Sequence, residues 1–192
     1  MTIHLKKIAL TLAGLVPALL GTNYAGAQNS GGGESPYFHK AGATEIYSGA
    51  NSRTEFLLTA EESKGRFSIV DETFFPGMNS APGHTHHFHS EVFFIISGSM
   101  EWTVGDETDT LGTGDLVYIP PGTVHYTRVV GDEPVRALMI YEPAGYERGY
   151  FSRRALTDEQ RQDPEFMRQF MHSQDVEPVR GPGGGNATSS VP

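Results

Sequence analysis

From Arg66 to Tyr141 the chain is a succession of short apolar or alternating runs, each stopped by a turn signal. "RFSIVDETFF" alternates: Phe67, Ile69 and Asp71 share one face, Ser68, Val70 and Glu72 the other. "EVFFII" is apolar on both faces, and "SMEWTV" sets Met100, Trp102 and Val104 against Glu101 and Thr103. "DLVYIP", "HYTRVV" and "VRALMIY" follow, with "SGS", "VGDE", "GTGD", "PPGT" and "VGDEP" between the runs. Strand-length segments recurring about every ten residues, with Gly, Pro and Asp between them, predict an all-β sandwich or barrel.

The ends read differently. "MTIHLKK" is a short basic start, "IALTLAGLVPALL" an apolar run too short to span a bilayer, and "AGA" precedes Gln28 as a small-x-small cleavage site. Residues 1–27 are therefore expected to be a secretory signal cleaved after Ala27, which places the mature protein in the periplasm or outside the cell. Loss of Lys6 and Lys7 would leave 12 basic against 23 acidic residues. Residues 28–44 read as a flexible linker and N-terminal arm, 45–150 as the barrel, 151–179 as a helical extension and 180–192 as a disordered tail. In the extension, "TDEQ" from Thr157 is a capping box and Asp163-Pro164 a second helix start. Phe166, Met167, Phe170 and Met171 then recur at helical spacing as a stripe for core or interface.

A chain of 192 residues is expected to hold one domain with appendages. The net charge of -9, with no Lys/Arg run, argues against a nucleic-acid partner. There is no cysteine, so disulfides, thiolate ligands and iron–sulfur clusters are excluded, and any metal must be held by imidazole and oxygen.

One stretch offers such ligands. "PGHTHHFHSE", Pro82 to Glu91, carries His84, His86, His87, His89 and Glu91, four of the eight histidines in the chain. Residues i and i+2 of a strand share a face, so a His-x-His pair delivers two imidazoles to one point. An unbroken strand would put His87, His89 and Glu91 together. A hairpin would end one strand at His84 and His86, turn through His87 to Ser90, and begin the next at Glu91. The apolar run starts only at Val92, which favours the hairpin. Downstream, "GDLVYIPPGTVH" leads through a rigid Pro120-Pro121-Gly122 turn to His125, a ligand type on a distant strand.

These two segments resemble the paired motifs of the cupin family. The first motif is met by His84-x-His86, four residues, Glu91, six residues and Gly98; the second by Gly114, Pro120, Gly122 and His125. The family's leading glycine falls at Met78, with Gly77 one residue off, and its closing asparagine at Val129. The resemblance covers residues 45–145. It implies a small antiparallel β-barrel (a double-stranded β-helix or jelly roll) with a short C-terminal helical segment. It also implies one divalent transition metal, Fe, Mn, Ni, Cu or Zn, on His84, His86, Glu91 and His125. His87 and His89 are left as turn residues, at most donors to the ligands.

"YEPAGYERGYF", Tyr141 to Phe151, further resembles single-domain cupins grouped with the quercetin (flavonol) dioxygenases. That implies metal-dependent dioxygenation of a polyphenol, with O2 and a small-molecule substrate as partners and Glu91 as a catalytic base as well as a ligand. Strand alternation proposes Phe93, Ile95, Trp102, Tyr118 and Met139 as an apolar pocket lining, or else as barrel filling. The alternatives are a non-catalytic cupin that holds metal and ligand, and a Mn-dependent oxalate oxidase or decarboxylase, which would need an arginine near the metal. The doubly apolar "EVFFII" leads us to expect a homodimer. No membrane partner is expected once the signal is removed.

Overall fold

The alternation seen in the sequence becomes the inside and outside of two facing antiparallel sheets in a computed structural model that describes residues 36–179. The expected signal (1–27), most of the linker and the 180–192 tail lie outside the described residues. The strands are β1 (Ile46–Ser48), β2 (Ser52–Leu58), β3 (Ser68–Phe74), β4 (His84–Thr85), β5 (Ser90–Ser97), β6 (Ser99–Val104), β7 (Glu107–Gly112), β8 (Leu116–Ile119), β9 (His125–Val129), β10 (Val135–Glu142) and β11 (Glu177–Pro178). The helices are α1 (Ala60–Ser63), α2 (Glu147–Arg154), α3 (Asp158–Gln162) and α4 (Pro164–Ser173). One sheet runs β1-β2-β3-β10-β5-β8 and the other β11-β4-β9-β6-β7. Among the described residues no helix is long and apolar enough to cross a membrane.

Period-two burial fills the space between the sheets. Val70 and Phe74 of β3, Phe93 and Ile95 of β5, Met100 and Trp102 of β6, Val129 of β9 and Met139 of β10 form one core cluster. Phe93 meets Trp102 across the gap, ring centroids 4.4 Å apart. The interior is polar at one end. Register places Tyr141 between Ser68 and Glu91, whereas Ala137 and Met139, further from that end, face Ile95 and Phe93. The chain crosses from β5 to β6 through Gly98, at φ 86°. A Cβ there would lie 2.8 Å from the Pro134 carbonyl oxygen, so the turn requires glycine.

Two expectations change, and the N-terminal arm finds its place. Tyr118 faces outward and is 55% exposed. Pairing of Glu91 with Ile119 and of Phe93 with Val117 fixes the phase of β8, so its odd-numbered residues point inward. The segment from His84 to Glu91 is neither an unbroken strand nor a hairpin, because β4 and β5 belong to different sheets and residues 86–89 cross between them. Finally, part of the N-terminal arm is docked: His39 Nε2 lies 3.2 Å from Glu55 Oε1, and the Gly42 N–H donates to the same carboxylate.

The helical extension covers the polar end. Both cap signals hold: Thr157 accepts from the Gln160 N–H, and Asp163 from the Glu165 and Phe166 N–H groups. Phe166, Met167, Phe170 and Met171 are half-buried. Buried Glu147 ties α2 to the barrel, accepting from the Ala60 N–H at 2.8 Å and the Gly145 N–H at 2.9 Å.

Beneath α2, Glu72 is enclosed on the inner face of β3. Burial raises its carboxyl to about 7, against the opposing effect of hydrogen bonds from Ser52, Thr54 and Tyr150. The folded protein thus keeps a proton that the unfolded chain releases above its ordinary value of 4.5. Stability is untouched below that value and falls as pH rises through about 7, by roughly 3 kcal/mol in all. Glu72→Gln is expected to flatten this decline, measured as urea midpoints across that pH range. An unchanged slope would refute the assignment.

Candidate metal centre

The centre lies where the two sheets meet at the polar end. His84 on β4 pairs directly with His125 on β9. Gly83 makes that approach possible: at φ 98°, an added Cβ would stand 2.5 Å from the His125 carbonyl oxygen. His86 follows two residues later, and its carbonyl accepts the Gly122 N–H at 2.6 Å. The Pro-Pro-Gly turn therefore both delivers His125 and pins His86. One nitrogen each of His84, His86 and His125 fall within 4.8 Å of one another. Glu91 reaches in from β5 of the other sheet, with Oε1 3.3 Å from His86 Nε2 and Oε2 3.0 Å from His125 Nε2. His86, Glu91 and His125 are 2–3% exposed.

Hydrogen bonds on the far side of the rings decide what these atoms can do. His86 Nδ1 donates to the Asp175 carbonyl at 2.6 Å, and His125 Nδ1 to the Thr123 carbonyl at 3.0 Å. A carbonyl only accepts, so each Nδ1 carries the proton, and in the neutral ring each Nε2 is a lone pair. Both lone pairs face a carboxylate that also only accepts. The distances are short but the alignment is not that of a hydrogen bond, and His86 Nε2 and Glu91 Oε2 lack partners. Buried acceptors converging without donors favour a cation there.

The charge states of Glu91 and His84 agree with this. Burial raises the Glu91 carboxyl, but contacts with His125 and His86 outweigh it and hold the group well below the usual range. Burial, then repulsion from His125 and His86, lowers His84 to about 3. For His125 burial pushes down, while Glu91 pushes up and prevails, so a metal would have to displace a proton from that ring. An ionised carboxylate and a neutral imidazole are the forms that ligate metal. Imidazole with carboxylate fits Zn, Fe, Ni, Cu or Mn.

The other predicted positions separate. His87 is exposed. His89, expected to be a turn residue, is instead buried at 6% exposure, its ring 4.0 Å from that of His86. Asp175, unremarked in the sequence, accepts from the His87 and Phe88 N–H groups, and its Oδ2 lies 2.8 Å from His89 Nδ1. Its distance along the chain gives no local signal; a polar residue in a docked C-terminal turn is recognisable only in three dimensions. Phe93, Ile95, Trp102 and Met139 belong to the packed core. The cleft beside the centre, about 180 Å³, is lined by other residues, among them Phe88, His89, Tyr146 and Asp175. Arg128 and Arg136 are engaged by Glu101 and Asp71.

Two facing antiparallel sheets with a histidine–carboxylate cluster at one end define a jelly-roll protein with a candidate metal centre. Residues 70–141 match the cupin domain family. The chain is 28% identical over 107 residues to quercetin 2,3-dioxygenase of Bacillus subtilis (strain 168), a match covering 52% of this chain and 31% of that enzyme's length. Among solved structures, KdgF from Halomonas sp. superposes with TM-score 0.52 at 16% identity, covering 59% of this chain and 99% of that one. An RmlC-like cupin from Shewanella frigidimarina NCIMB 400 gives TM-score 0.50 at 21% identity, covering 59% and 96%. Both likenesses concern the fold.

Elemental analysis of purified protein tests the ligand assignment. Metal held by the parent chain is expected to be lost in His84→Ala and retained in His87→Ala. Equal metal content in the two variants would refute the assignment.

Proposed function

We propose that this protein is an exported cupin that holds one divalent transition metal on His84, His86, Glu91 and His125. In this reading it uses the metal to dioxygenate an aromatic, flavonol-like small molecule. The observation that carries the metal is the set of imidazole lone pairs fixed around buried, ionised Glu91. The partial likeness to a quercetin dioxygenase supports the reaction class. When bound, a redox-capable metal would supply open positions for O2 or a chelating substrate.

The protein's own contribution is to hold and to exclude. The Asp175 and Thr123 carbonyls keep His86 and His125 in the metal-ready tautomer. Glu91 can accept a substrate proton when not fully engaged as a ligand. Tyr146, 5.3 Å from the His86 ring and 5.1 Å from that of His89, shields the centre from water and offers an aromatic face to a flat substrate.

One observation favours a second reading, non-catalytic binding of metal and a small ligand. The barrel interior is filled, and the adjoining cleft of about 180 Å³ is small for a flavonol unless α2 moves. The oxalate reading has less support, because Arg128 and Arg136 are committed elsewhere. Oxygen uptake with flavonols and catechol-like phenols by the Fe, Mn, Ni or Cu form is the expected result. Absence of turnover across that panel, with tight ligand binding, would favour the second reading.

We also propose a homodimer through the outer face of β10, β5 and β8. Register places Ile140, Val92 and Tyr118 in one row there and Leu138, Phe94 and Leu116 in the next. Phe94, Leu116 and Tyr118 are 41–55% exposed, an uncovered apolar strip. Sedimentation at micromolar concentration is expected to give a dimer that Phe94→Glu converts to monomer; a monomeric parent chain would refute it.

A further inference from the structure

The four expected ligands leave one buried group at the centre unexplained. His89 is 6% exposed, and its Nε2 has no hydrogen-bond partner. That atom lies 3.9 Å from Glu91 Oε1, the same oxygen that faces His86 Nε2 at 3.3 Å. His89 Nδ1 is 2.8 Å from Asp175 Oδ2. A carboxylate only accepts, so in the neutral ring Nδ1 carries the proton and Nε2 is a lone pair, as in His86 and His125. A third imidazole lone pair therefore meets the Glu91 carboxylate with no donor between them.

Asp175 holds more than one ring. Its carbonyl accepts from His86 Nδ1, one carboxylate oxygen from the His87 N–H and the other from the Phe88 N–H, and the latter oxygen lies 2.8 Å from His89 Nδ1. The residue sits at φ 60°, a conformation that aspartate tolerates better than most side chains. It is anchored on both sides. Before it, the Asp175 N–H donates to the His172 carbonyl in the last turn of α4, at 3.1 Å. After it, β11 pairs with β4, matching Glu177 with Thr85 and Pro178 with His84, and the Val179 N–H donates to the Gly83 carbonyl.

His86, His89 and Asp175 also form a compact group by themselves. A separate ion there is disfavoured, because His86 Nδ1 already donates to the Asp175 carbonyl, the Asp175 carboxylate accepts two backbone N–H groups, and His89 Nδ1 lies 2.8 Å from that carboxylate. The unpartnered Nε2 atoms of His86 and His89 lie on the Glu91 side.

We propose that His89 supplies a fifth donor to the metal, through Nε2, and that Asp175 of the C-terminal extension is the positioning residue that fixes its tautomer and direction. This rests on the reading that the centre holds a metal. It gives the extension a direct part in the centre: one side chain orients a histidine beyond the ligand set that the sequence motifs supply, and the same residue's carbonyl orients His86.

Asp175→Gly makes a specific test, because glycine tolerates positive φ and keeps the carbonyl that serves His86 while removing the carboxylate beside His89. Nothing then fixes the tautomer and direction of the His89 ring. The full chain, stripped by chelator and titrated with copper(II) alone, can be read by pulsed electron paramagnetic resonance as a count of imidazole nitrogens. The parent chain and His87→Ala are expected to show four imidazoles, and His89→Ala three. Copper affinity should fall about 10- to 100-fold in Asp175→Gly. Should His89→Ala fold poorly, His89→Gln gives the same count. A parent chain with the same count as His89→Ala or His89→Gln overturns the fifth donor while leaving the metal reading intact. A parent chain that takes up no copper overturns both.

Discussion

The structure turns on an arrangement of acceptors. Glu91 is buried and ionised, and in the neutral rings of His86 and His125 the nitrogens facing it are lone pairs because the other nitrogens keep their protons and donate hydrogen bonds to carbonyls. Such a cluster is unfavourable by itself and favours a positive charge at its centre. The surrounding fold bears the consequences. Two sheets must bring β4, β9 and β5 to one point, Gly83 must let two backbones nearly touch, and a rigid turn must hold His86 in place. The apolar half of the barrel, packed around Phe93 and Trp102, provides the rigidity against which this end is held.

Much of this was legible in the sequence. Motif spacing joined His84, His86 and Glu91 to His125, because strand alternation and the Pro-Pro-Gly turn are local signals. The two sheets followed from the rhythm of turns. The failures share one cause, namely that a local pattern says which residues share a face and not which face is inside. Tyr118 alternates as well as Ile119 does, and pairing with β5 decides between them. His89 was assigned to a turn because it lies in the segment between strands, yet Asp175 draws its ring inward. Asp175 itself carries no signal, since its meaning depends on a loop far away in the chain.

The interior also bears on what the centre can accept. Most residues that an alternation argument offers as a pocket are spent on packing, so on the proposed reading a small molecule would be met at the rim: Phe88, Tyr146 and the turn at Pro143–Gly145. Tyr146 stacks on Tyr141, the residue opposite Glu91 in the sheet, which joins the rim to the barrel wall. Size selection would then be set by the placement of α2, which Glu147 fixes through its two backbone contacts.

The short pairing of β11 with β4 has a practical meaning for anyone trimming this protein. The family match ends at residue 141, and a fragment cut there would keep all four motif ligands. It would also strip the acceptors from the outer nitrogens of His86 and His89, and free the strand that carries His84 along one edge. On the proposed reading, the ligands would survive on paper while the tautomers that make them ligands went unspecified. The contacts that orient these rings extend well past the boundary of the recognisable domain.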